Sequence, residues 1–312
     1  MGDLMHALPA ITEAKSHMND ITFDWVVDKS FSSVPKWHPD VKNTIETNHR
    51  EWKFNLFSSK ARDEMRKVIN KIDDNEYDLI IDMQNNLKSA FLSFMCKSPV
   101  AGLDAKSARE YPAHLAYKNK FRVPKDMHAV ERQKHLLASA LGYKTNLANR
   151  DYGISKANFR KPKKYHFSKY AICVQNASWT TKQWPIESWK ELLRILEQRD
   201  LNLLFPSGNQ AEFERASEIC SISEKAHALE VLPLDEVAFL IDNSEFSLCS
   251  DTGLAHLSAV VSTPSLTLYG PTDTNLIGTY GKDQNHLVSP DSNISKISVH
   301  DVLTKLEHLS FI

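Results

Sequence analysis

Asp251, Thr252 and Gly253 follow an apolar run that ends at Cys249, and Leu254 and Leu257 then resume at helical spacing. That pattern is a strand-to-helix turn with small residues at the helix start. Unpaired N–H groups and the positive end of the helix dipole gather there. Such a turn binds phosphate, and Gly253 lets an anion come close to the backbone. The same residues also suit a plainer role, with Asp251 or Thr252 capping the helix.

Three further segments carry usable chemistry. In NASWTTKQWPIESW (176–189), Ser178, Thr180, Thr181 and Lys182 supply donors and one positive charge after a strand ending at Val174. Open α/β sheets bind ligands at that edge. Lys182 is therefore either a counter-charge for a diphosphate or a solvated loop lysine. In FPSGNQAEFER (205–215), Gly208 ends a strand and Glu212 opens a helix. Glu212 can accept hydrogen bonds from ribose hydroxyls or stand on a helix surface. The Gly2–Asp3 pair puts a carboxylate at a helix start, where it serves as a general base or as a cap.

Other chemistries are excluded. There is no GxGxxG, no GxxxxGK[ST], no GxSxG and no HExxH. An Asp-x-Asp pair is absent, so a divalent metal holding a diphosphate is not expected, and the histidines lack ligand spacing. The four cysteines (Cys96, Cys173, Cys220, Cys249) are scattered and read as buried free thiols of a reducing compartment.

The elements that must position these residues alternate in type. Apolar runs at 21–27, 78–82, 170–174, 202–205, 245–249 and 265–270 read as strands. Helical periodicity falls at 128–143 and 209–219, and Trp189, Leu192, Leu193 and Leu196 recur on one helical face. Strands alternating with helices predict parallel sheets covered by helices. The basic stretch 151–169 breaks the rhythm and reads as a linker rather than a nucleic-acid arm. Ser298 is placed to cap a last helix whose buried face is Val299, Val302, Leu303 and Leu306. The chain opens directly on MGDLMHALPA, loop and helix, so the leading strand of a doubly wound domain is apparently missing.

With 312 residues the chain has length for two domains. Its formal net charge of -1 offers no overall basic excess for nucleic acid. No apolar run approaches membrane-spanning length and no signal peptide is visible, so a cytoplasmic protein is expected. Lys60, Arg62, Arg66 and Lys67 either face anionic headgroups or form a solvated helix face.

Several segments together resemble a known family. They are MGDLMHALPA (1–10), FDWVVD (23–28), DLIIDMQNNLKSA (78–90), HAVER (128–132), KQWPIESW (182–189), EVLP (230–233), SDTGLAHL (250–257) and LYGPTDTNLIGTYGK (268–282). The chain is similar over almost its whole length to the glycosyltransferase family 9 heptosyltransferases, which build the inner core of lipopolysaccharide. The resemblance implies a GT-B fold, two Rossmann-like domains with parallel sheets. It divides the chain into an acceptor domain (1–155), a linker (156–169) and an ADP-sugar domain (170–297), with helix 298–312 packing back on the first domain. It also implies inverting, metal-free transfer of heptose from ADP-heptose to Kdo-lipid A, with peripheral contact at the inner membrane.

By resemblance, Asp3 matches the general base and Lys182 the diphosphate lysine. Glu212 matches the ribose glutamate, and Asp251, Thr252, Gly253 and His256 match the donor loop. Ser178 falls near the diphosphate. Arg109, Arg132, Arg50 and Lys53 match basic residues for a phosphorylated acceptor, although HREWK (49–53) has fewer arginines than related sequences. Two rival readings remain: a GT-B-fold sugar-nucleotide epimerase, and a truncated, non-catalytic ADP-sugar-binding remnant.

Overall fold

Four of the second unit's strands are largely buried Val-, Leu- or Ile-bearing runs, as expected where a parallel sheet is buried on both faces. The computed structural model describes residues 1–49, 51–52 and 58–312, and the chain divides into two units, Asp3–Ser155 and Lys156–Ile312.

In the first unit, helix α1 (Gly2–His17) leads to the parallel pair β1 (Phe23–Asp28) and β2 (Val41–Thr47). Helix α2 (Ser59–Asp73), β3 (Ile80–Ile81), α3 (Leu87–Phe94), β4 (Val100–Leu103), β5 (Asn119–Phe121) and α4 (Ala129–Leu141) follow. Strands β3, β4 and β5 form a second parallel ladder. Helix α1 lays Ala10, Ile11 and Ala14 over Phe23 and Trp25 of β1, and over Ile81 of β3 and Met83 just after it. One helix thus covers both ladders, yet β1 and β3 are not hydrogen-bonded to one another. Each keeps an unpaired edge among the described residues. Helix α4 stops at Gly142, whose φ of 80° is the left-handed conformation that ends helices.

The second unit carries β6 (Tyr170–Val174), α5 (Ile186–Leu196), β7 (Asn202–Phe205), α6 (Gln210–Cys220) and β8 (Ala226–Ala228). It continues with α7 (Leu234–Asp242), β9 (Ser247–Ser250), α8 (Gly253–Val260), β10 (Ser265–Tyr269), β11 (Gln284–Val288) and α9 (Val299–His308). All six strands are parallel, in the order β11-β10-β9-β6-β7-β8. Strand order reverses at β6, and its first loop opens at that switch point. Every residue of β6, β9 and β10 is buried. The aromatic core stacks edge to face, Trp184 on Trp189 at 5.2 Å and Trp189 on Phe205 at 5.5 Å. Cys173, Cys220 and Cys249 are buried free thiols, and Cys96 is half-buried.

Two expectations are refined. The basic stretch is no loose linker: Lys156 pairs with Asp242 at 2.5 Å, Arg160 with Asp235 at 3.1 Å and Lys164 with Glu230 at 2.5 Å. Three of its six lysines and arginines are thus met by acidic residues of the second unit. Helix α9 begins with the expected cap, in which Asp301 N–H donates to Ser298 Oγ at 3.1 Å. Val299, Val302 and Leu306 pack in one core with Leu192, Leu193 and Leu196 of α5, because those two apolar stripes complete each other.

Candidate active site

Lys182 and Asp251, read from separate segments, meet. Lys182 Nζ lies 2.7 Å from Asp251 Oδ2, with the carboxylate side chain only 6% exposed. Thr272 Oγ1 donates to the same carboxylate. The loop carrying Lys182 is pinned by the buried Trp184, whose Nε1–H donates to Ile297 O at 2.9 Å. Asp251 directly follows β9, Thr252 is the N-cap residue of α8, and Gly253 is its first helical residue. Thr252 makes no side-chain cap, so first-turn N–H groups of α8 remain for a ligand. An ammonium has three N–H donors, and Asp251 takes one. The carboxylate therefore holds the lysine in place while two donors stay available to an anion. This is why a carboxylate can stand beside a phosphate site. His256 lies on α8 and is buried; Ser178 is exposed in the loop after β6.

Glu212 is more committed than its sequence context suggested. Its carboxylate accepts from Gly208 N at 2.7 Å, from Asn209 Nδ2 at 3.0 Å and from Asn176 Nδ2. Its own N–H donates to Asn209 Oδ1 at 3.0 Å. Glu212 thus ties the loop before α6 to the loop after β6. A carboxylate offers about four acceptor positions, so one remains for a hydroxyl.

In the first unit, Asp3 sits in the first turn of α1, where the dipole favours a carboxylate. Arg109 Nη1 donates to Asp3 Oδ2 at 2.6 Å, with both side chains about half exposed. The Asp3 charge raises the guanidinium pKa, assisted by that hydrogen bond. Arg132 Nη2 donates to Ser107 O at 2.5 Å, while its buried Nε has no partner among the described residues. Burial lowers the Arg132 pKa, and the charge of Arg109 lowers it further. Two guanidiniums, Arg109 and Arg132, therefore stand close enough for their charges to act on each other, and Arg109 also pairs with Asp3. Arg50 and Lys53 lie outside the described residues.

The loop bearing Arg109 is held by groups that sequence reasoning did not single out. Asn85 Oδ1 accepts Leu103 N–H at 2.7 Å, and Asn85 O accepts Glu110 N–H at 3.2 Å. Asp82 accepts from Tyr117 Oη at 2.7 Å, Ser89 Oγ at 2.8 Å and Asn85 N at 2.9 Å. Burial pushes the Asp82 pKa up, and these donors oppose the rise. Asn85 has φ of 52°, which an asparagine tolerates better than most residues. A signal was present in DMQNN (82–86), an Asx-rich turn after a strand. Thr272 and Asn176 carried no comparable signal. Among the described residues no three His, Cys, Asp or Glu side chains group to hold a metal ion.

Known proteins resemble this chain in sequence and fold. The family model "Glycosyltransferase family 9 (heptosyltransferase)" matches residues 65–306. Lipopolysaccharide heptosyltransferase 1 of Pseudomonas aeruginosa is 37% identical over 290 residues, covering 93% of this chain and 81% of that protein. The solved E. coli heptosyltransferase WaaC with ADP superposes with a TM-score of 0.92 at 34% identity, over 99% of this chain and 97% of that one. The same enzyme with ADP-2-deoxy-2-fluoro heptose gives 0.89 at 33% identity, over 99% of this chain and 96% of that one. The chain has the GT-B fold, is a glycosyltransferase, and belongs to glycosyltransferase family 9, the heptosyltransferases.

Proposed function

We propose that this enzyme transfers heptose from ADP-heptose to a Kdo-bearing lipid A, with inversion at the anomeric carbon and without a metal ion. The observation that carries the reading is the Lys182–Asp251 pair at the start of α8. It supplies fixed positive charge where a leaving diphosphate would gather negative charge. In the proposed step Asp3 takes a proton from an acceptor hydroxyl. The oxygen so freed bonds to the anomeric carbon from the face opposite ADP. The bond from that carbon to the diphosphate oxygen breaks, and ADP leaves with the electron pair.

Lys182 and the N–H groups at Thr252 and Gly253 stabilise the leaving group. Glu212 and Ser178 contact ribose and diphosphate, and His256 supports the donor loop. Arg109 and Arg132 bind the acceptor phosphate, and Arg50 and Lys53 belong to that proposed set. The acceptor is lipid-anchored, so the enzyme works at the cytoplasmic face of the inner membrane as a peripheral protein. Among the described residues no helix is long and apolar enough to cross a membrane. Nucleic acid is not a partner.

Family membership and the ADP-sugar-bound relatives favour this reading over the epimerase and the non-catalytic remnant. The test is a transfer assay with ADP-heptose and Kdo-lipid A. ADP release that depends on acceptor and persists in EDTA is expected. Acceptor-independent release would favour the epimerase, no release the remnant, and a strict metal requirement would remove the metal-free mechanism.

A further inference from the structure

Helix α3 is amphipathic the wrong way round for a helix serving only a core. Its inward face presents Ala90 and Ser93 alongside Leu92, against a small cluster with Val100, Ala113 and Tyr117. Its outward face presents Leu87, Phe91 and Phe94, with Met95 just beyond, exposed by 48%, 52%, 65% and 48%. The neighbouring turn adds Tyr111 and Leu115, exposed by 76% and 66%. Six of the 13 large exposed apolar side chains among the described residues thus fall in two short segments that pack together. A patch of this kind marks a docking surface.

Charge says what docks. The segments 83–103 and 111–125 contain no Asp or Glu, yet carry Lys88, Lys97, Lys118, Lys120, Arg122 and Lys125. This occurs in a chain whose net charge is -1. Acidic groups meet these segments at Glu110, which accepts Leu87 N–H at 2.9 Å, at Asp73, 3.8 Å from Lys97 Nζ, and at the buried Asp82, which accepts from Ser89 Oγ and Tyr117 Oη. Exposed aromatic and aliphatic residues on segments that carry lysines and no carboxylate suit an anionic lipid surface, with the rings at headgroup depth and the ammoniums on phosphates. Helix α2, with Lys60, Arg62, Arg66 and Lys67, does not match this pattern. Arg66 lies 3.8 Å from Asp63, and the helix exposes no large apolar side chain.

We infer that the outer face of α3, with Tyr111 and Leu115, is the surface by which the enzyme rests on an anionic membrane. The inference rests on the proposed lipid-anchored acceptor, and it places contact on the unit that carries Asp3 and Arg109. The experiment compares the full chain with Phe91→Ser/Phe94→Ser in co-sedimentation with phosphatidylcholine vesicles, with and without phosphatidylglycerol. Both positions are more than half exposed, so thermal melting should be unchanged and verifies the fold.

Wild type should bind the anionic vesicles, more weakly at high salt, and the variant should partition about ten-fold or more less. Equal partition of the two proteins, or no binding by wild type, overturns the inference. So does a wild-type dimer that the variant dissolves while vesicle binding persists, since the face would then join two copies. Transfer to an acyl-free Kdo acceptor should be equal in both proteins. Absence of that transfer would count against the functional reading and leave the vesicle result standing.

Discussion

Lys182 shows what a single residue does at two levels. Its ammonium neutralises a buried carboxylate and, in the proposed reaction, keeps N–H donors for the diphosphate. Lys182→Ala should therefore weaken ADP binding, measured calorimetrically, by about ten- to one-hundred-fold, the worth of one charge-assisted hydrogen bond. Unchanged affinity would remove Lys182 from the donor site. The variant should also melt lower, because Asp251 is left buried with Thr272 as its remaining side-chain donor. Asp251→Asn in the same chain should recover part of that loss, since the uncompensated charge is gone; no recovery would mean that the pair does not couple. Both residues were legible in the sequence as candidates for one anion. Their pairing was not, because it joins positions 69 residues apart and local spacing carries no such contact. Glu212 was legible as a helix-start carboxylate, but not as a tie between two loops, for the same reason.

At the scale of elements, burial along each strand separates the two units. β6 and β9 are buried throughout and paired on both sides. β1 and β3 each have one paired edge, their side chains are mostly half-buried, and Val26 is 37% exposed. Amide hydrogen exchange should therefore be slow in β6 and β9 and markedly faster in β1 and β3. Equal protection would mean that the β1 and β3 edges are covered in solution. The long apolar strands of the second unit were legible because a doubly buried parallel strand is a nearly continuous apolar run. Short or mixed strands such as β2, β5 and β11 were not, since VKNTIET, NKF and QNHLV carry polar residues where the sheet is only partly covered. The last helix had legible caps and stripe. That α5 shares its core was not legible, because a stripe says that a face is buried, not against what.

For the molecule as a whole, stability and the proposed chemistry are both spread over two units. Burial lowers the pKa of His38 and His49 in the first unit, and of His227 and His286 in the second. A histidine kept neutral by folding binds fewer protons than its unfolded counterpart, whose usual pKa is about 6.5. The stability it contributes is complete above that value and is lost as pH falls below it. The melting temperature should thus drop between about pH 7 and about pH 5, and His38→Gln should lessen the drop. A flat profile would contradict the burial of these rings.

The chemistry divides likewise, with the carboxylate on α1 assigned to the acceptor and the lysine loop and α8 assigned to the donor. The direct test is to measure ADP affinity and heptose turnover together in Asp3→Ala. ADP binding equal to that of wild type, with turnover lowered about 10²–10⁴-fold, is the predicted result. Normal turnover, or turnover lost only in step with ADP affinity, would contradict the division of labour.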